Sequence, residues 1–113
     1  MELTVITADA TYTHIAISGK LDIAGVAEIE NHFIEVTAGR KVSAIIDVSG
    51  VTFTGSMGLR LFLRASKSLS QEKKKLILLD PQPMVNEVLV DSGIKGVVAV
   101  EKSLEAALAL AQA

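Results

Sequence analysis

The chain has 113 residues, half of them apolar, with 4% aromatics and neither tryptophan nor cysteine. That length allows one domain with one real core, and the aliphatic content excludes disorder. A net charge of −2 provides no field to gather nucleic acid, while the absence of cysteine removes disulfides, thiolate catalysis and the usual zinc clusters.

Taken in order, Leu3 to Thr7 and Thr11 to Ser18 read as two strands of a hairpin, with Ala8-Asp9-Ala10 as the turn. In the second strand Tyr12, His14, Ala16 and Ser18 point one way, and Thr13, Ile15 and Ile17 the other. The following "GKLDIAG" is expected to leave the sheet. From about Ala24 to Ala38, helical spacing brings Val26, Ile29, Phe33 and Val36 together, with Gly39 suited to the helix end. "VSAIIDV", Val42 to Val48, is apolar without alternation, the mark of a strand buried on both faces.

A second helix is expected from Ser56 to Leu69, with Leu61, Phe62, Ala65 and Leu69 inward and Arg60, Arg64 and Lys67 outward. The charged run Glu72 to Lys75 reads as a solvated turn guarding the next buried strand, Lys75 to Asp80. Pro81 and Pro83 set up a third helix with Met84, Val85, Val88 and Leu89 inward and Ser92-Gly93 as its stop. Val97 to Val100 is a last strand. Ser103 caps a final helix whose apolar face is Leu104, Ala107, Leu108 and Ala111. The order β-β-α-β-α-β-α-β-α calls for a largely parallel sheet with an N-terminal antiparallel hairpin, covered by about four helices. Residues 1–113 read as one α/β domain.

The longest uncharged run, Val48 to Leu59, has 12 residues against the roughly 20 that a membrane helix needs. No basic leader precedes an apolar stretch at the N-terminus. A soluble, cytoplasmic protein without membrane insertion is the expectation.

Chemistry is sparse. His14 and His32 lack the spacing of a metal pair, and no phosphate-binding glycine loop occurs. Gly55-Ser56-Met57-Gly58 lacks the full nucleophile elbow, because Leu59 stands where its second glycine belongs. No enzyme, metal or cofactor is expected. What stands out is a hydroxyl between two glycines where a helix begins. Ser56 either caps that helix, a role worth about 1 kcal/mol, or is a phosphorylation site, since a helix N-terminus tolerates phosphate.

Three segments, "ISGKLD", "IIDVSGVTFTGSMGLRLFL" and "KLILLDPQPMVNEVLVDSGI", make the chain resemble the STAS domain proteins of the bacterial anti-sigma-factor antagonist family. Members carry G-E-L-D in the first segment and D-S-[ST]-G-L in the second. Ser56 falls on the serine that a partner kinase phosphorylates, Gly58 on the helix glycine, and Asp22 on the acid of the first motif. Lys20 replaces the usual Glu, Gly55 the usual Asp, and Met57 a common second hydroxyl.

The resemblance implies a partner-switching regulator. Its partners would be an anti-sigma factor and serine kinase of the histidine-kinase-like ATPase class, and a PP2C-type phosphatase. The expected binding surface comprises Asp22, Thr54, Gly55, Met57, Gly58 and Arg60. The alternative is a STAS subunit of an ABC-type phospholipid transporter, docking an ATPase without a phosphate cycle.

Overall fold

The computed structural model describes residues 1–113. Its elements are β1 (Glu2–Ala8), β2 (Tyr12–Leu21), α1 (Ile23–Val36), β3 (Ser43–Thr54), α2 (Ser56–Gln71), β4 (Leu76–Leu79), α3 (Pro83–Asp91), β5 (Ala99–Glu101) and α4 (Leu104–Ala111). Short 3-10 turns occupy Ala38–Arg40 and Ile94–Gly96. The hairpin turn is held by the Asp9 carboxylate, which accepts from the Thr11 amide and hydroxyl and from the Tyr12 amide. Those bonds also hold the carboxyl below its ordinary value of 3.8.

The five strands lie in the order β1-β2-β3-β4-β5. Only β1 is antiparallel; β2 to β5 all run parallel. Three successive crossovers advance in one direction across such a sheet. A uniform right-handed connection therefore puts α1, α2 and α3 on one face. The main core forms there, from Ile15, Ile17, Ile46, Val48 and Leu78 of the sheet, Ile29 and Phe33 of α1, Leu61 and Phe62 of α2, and Val85 and Leu89 of α3. The Phe33 and Phe62 rings sit 6.0 Å apart and tilted. On the other face α4 packs alone, its Ala107 and Ala111 one turn apart against Ile45, Ile77 and Leu79. Ala44, Ile45 and Ile46 of β3 are fully buried because layers cover both sides of the central strand.

Several boundaries differ from the sequence reading, each for a physical reason. Strand β2 does not end at Ser18: Gly19, Lys20 and Leu21 stay paired to β3 through register shifts, helped by a positive φ at Gly19. Strand β3 likewise passes Val48 and runs on to Thr54. Helix α1 ends before Gly39, at Val36, where the Thr37 hydroxyl donates to the Phe33 carbonyl. Met84 was expected inward but points outward at 75% exposure, leaving Val85 and Leu89 to anchor α3. Leu104 is likewise exposed, and β5 starts at Ala99, two residues after Val97.

Candidate functional site

The extra length of β2 and β3 builds the site. Leu21 and Thr54 are register partners at the ends of neighbouring parallel strands, and the Gly55 amide donates to the Leu21 carbonyl at 3.0 Å. Two helices therefore start side by side at the carboxyl edge of the sheet.

The two starts are finished differently. Asp22 is the N-cap of α1, and its Oδ1 accepts from the Gly25 amide at 2.8 Å. Gly25 has to be a glycine: a Cβ there would run into the Lys20 backbone carbonyl. At α2 the N-cap is Gly55, which has no side chain to offer, and the first turn carries no acid. Ser56 is the first helical residue and is exposed. Its hydroxyl is not the cap, so the capping role considered from sequence does not describe it.

The remaining expected residues divide by depth. Met57 is partly buried and packs onto the core, and Arg60 is exposed one turn beyond Ser56. Thr54 and Gly58 are not surface residues. Thr54 is only 4% exposed, and Gly58 is buried where α2 crosses the end of β2. A Cβ on Gly58 would collide with the Thr54 hydroxyl and lie 2.9 Å from Leu21 Cβ. These two seat the helix start from below and offer a partner no side chain.

Sequence reasoning missed the apolar surface around Ser56. Ile23 is 76% exposed and Phe53 48%. With Leu21, Asp22, Gly55, Ser56 and Met57 they line a cleft of about 200 Å³. Phe53 also borders a second cleft with Met84 and Val88. Ile23 directly follows a cap and Phe53 sits next to the last residue of its strand, so periodicity assigns neither to a face. On the other side of Ser56, a cleft of about 300 Å³ is floored by Leu59, Leu63, Ile94 and Val97, with Arg60 at its rim.

Neither histidine stands at this edge. His14 lies mid-strand in β2, on the face opposite Ile15, and His32 in the third turn of α1. His14 is 8% exposed, and its Nε2 is buried without a hydrogen-bond partner. Burial lowers its pKa from 6.5, against a smaller upward pull from Asp47.

A five-stranded sheet with three helices on one face and one on the other, with an exposed serine at a helix start beside exposed apolar surface, defines a small α/β domain. The STAS domain model matches residues 4–107, and the chain belongs to that family.

The chain is 33% identical over 73 residues to the anti-sigma-F factor antagonist RsfB of Mycobacterium tuberculosis. That match covers 64% of this chain and 60% of RsfB, less than two thirds of the relative's length. The anti-sigma-B factor antagonist of Staphylococcus epidermidis is 25% identical over 105 residues, spanning 93% of this chain and 96% of that protein. Among solved structures, the Bacillus cell fate determinant SpoIIAA in its phosphorylated form superposes with a TM-score of 0.70 at 22% identity. It covers 96% of this chain and 97% of SpoIIAA, a likeness of fold. No helix is long and apolar enough to cross a membrane.

Proposed function

We propose that the protein is an anti-sigma-factor antagonist acting in the cytoplasm by partner switching. Unmodified, it binds a histidine-kinase-like ATPase that is both anti-sigma factor and serine kinase. Transfer of the γ-phosphoryl group from ATP to the Ser56 oxygen, with loss of the hydroxyl proton, releases it. A PP2C-type phosphatase resets it by hydrolysis. The antagonist's role is regulatory; the ATPase supplies the catalytic groups.

The observation that carries this reading is the free, exposed hydroxyl of Ser56 beside a glycine cap. The names of the mycobacterial and staphylococcal relatives point the same way. Ile23, Phe53 and Met57 offer apolar contact around the hydroxyl, the usual composition of an interface centre. A phosphate brings a charge of about −1.5 to −2 into that contact. Once the partner docks it must be desolvated against a surface shaped for a hydroxyl. Misplaced charge of this kind costs several kcal/mol, or roughly a hundredfold or more in affinity.

The test is to incubate the pure protein with candidate ATPases of its organism and Mg-ATP, then map the added phosphoryl group by mass spectrometry. It should sit on Ser56, be absent from Ser56→Ala, and weaken binding about a hundredfold. Modification elsewhere, or equal affinity before and after, overturns the reading.

A further inference from the structure

Charge is sorted among the helices in a way that the Ser56 switch does not require. Helix α1 carries Glu28, Glu30 and Glu35 with no lysine or arginine; α3 carries Glu87 and Asp91, and α4 carries Glu105. Every cation in the four α-helices, Arg60, Arg64 and Lys67, is on α2, which has no acid at all. At 100° per residue these three fall on one stripe about 60° wide, in line with Ser56. All three are exposed, and the only salt bridge in the molecule joins the N-terminal amine to Glu28. A ridge of three unpaired cations thus runs about 17 Å down the helix from the serine.

We propose that this outer face of α2 is the docking surface for an acidic face of the protein partner, with carboxylates meeting Arg60, Arg64 and Lys67. The inference rests on the reading that the chain works by binding a partner protein, and it names the chemistry of that partner. Beside the ridge lies the cleft floored by Leu59, Leu63, Ile94 and Val97. An apolar floor next to cations fits a protein surface that brings a bulky side chain among its carboxylates. It is a poor match for a phosphodiester backbone, and a chain of net charge −2 does not draw in a long polyanion. A second copy of this chain would have to set its acidic α1 against α2 across a two-fold axis, and ridge-dependent self-association is the outcome that reads that arrangement.

The same geometry links the ridge to the switch. Arg60 is four residues after Ser56, the spacing at which helical side chains meet. A phosphate on Ser56 competes with the partner's carboxylates for the Arg60 guanidinium and repels them directly.

The experiment measures affinity and association rate of Arg64→Glu, Lys67→Glu and the double variant against the ATPase that binds the wild-type chain. Both positions are exposed, and circular dichroism checks that the helix is intact. The double variant should bind at least roughly tenfold more weakly at about 50 mM salt, chiefly through a slower on-rate, and the gap should narrow by about 500 mM as screening sets in. Wild-type binding unchanged in the double variant, yet abolished by Ser56→Glu, overturns the ridge and leaves the partner-switching reading standing. Absence of any ATPase that binds the wild-type chain overturns both. Tighter, ridge-dependent binding to a DNA duplex or to phosphatidylglycerol vesicles, or ridge-dependent self-association, also overturns the assignment to an acidic protein partner.

Discussion

Gly58→Ala is a test of whether the start of α2 is as tightly seated as the geometry says. In an unconstrained helix the change would stabilise, because alanine is better than glycine by about 1 kcal/mol. At Gly58 the new methyl meets the Thr54 hydroxyl and lies 2.9 Å from Leu21 Cβ. The Thr54 side chain is buried and β-branched, and Leu21 Cβ is fixed by the β2 backbone, so neither gives way cheaply. Overpacking of this kind costs about 1–3 kcal/mol and exceeds the propensity gain. The expected net loss is about 1 kcal/mol, which for a chain of this length lowers the melting temperature by roughly 4 °C.

Gly96→Ala is the control, since a Cβ there meets nothing within 4 Å and φ is not positive. That variant should be neutral or gain up to about 1 kcal/mol from a less flexible unfolded chain. Urea and thermal unfolding, followed by circular dichroism, read both. A Gly58→Ala protein that melts at or above the wild type would show that α2 lifts off the strand ends freely. The rigid presentation of Ser56 would then be wrong.

Asp22→Ala should cost about 1 kcal/mol by removing the cap on Gly25, whereas Asp22→Asn should keep nearly all of it, asparagine being an equally good cap. If Asp22→Asn unfolds as easily as Asp22→Ala, the cap is not what Asp22 contributes. Ser56→Ala should leave stability within about 0.5 kcal/mol of wild type, as for other surface positions, in the same urea experiment. His14 should make the fold acid-sensitive as pH falls through 6.5 and below, since burial depresses its folded pKa under that value. Both states are neutral well above that value; on acidification the unfolded chain protonates first, and stability falls until the folded pKa is reached. His14→Phe should flatten that slope, and an unchanged slope in melting temperature would remove His14 as its source.

How much of this was legible in the sequence depends on what each residue pattern encodes. The unalternating run Val42 to Val48 announced the central strand because burial on two faces leaves no polar side. Ser56 was placed at the helix start by the onset of 3.6-residue spacing after Gly55. The strand ends were not legible, because Ser18-Gly19 and Ser49-Gly50 carry turn chemistry yet lie within irregular pairing that keeps the chain in the sheet. That hid the pairing of Leu21 with Thr54, which brings the two helix starts together. Exposure of Ile23, Phe53 and Met84 escaped for a related reason: at element boundaries a period has too few residues to fix a face. The capping of α1 by Asp22 was missed because the periodic apolar residues begin at Val26, which placed the helix start at about Ala24 rather than at Ile23, directly after Asp22.

The contrast between the two helix starts fixes what a phosphate on Ser56 does to the fold itself. Helix α1 already has a carboxylate at its N-terminus, accepting from the Gly25 amide. Helix α2 has a glycine cap and no acid in its first turn, so its leading amides and the positive end of its dipole remain uncommitted. Negative charge placed there is favourable by about 0.3–1 kcal/mol. Asp22 lines the same cleft as Ser56 and opposes it, but both groups are exposed and water screens that repulsion. A domain carrying phosphoserine at position 56 should therefore melt no lower than the unmodified one, and up to about 4 °C higher for a gain of 1 kcal/mol. Its amide spectrum should change only around the first turn of α2 and the neighbouring start of α1. Raising the salt concentration should shrink the gain. A melting temperature several degrees below the unmodified protein, with shifts spread through the sheet, would mean that phosphate acts by loosening the domain. Release of a partner would then follow from a changed fold, and the picture of a rigid surface bearing a repelling charge would be wrong.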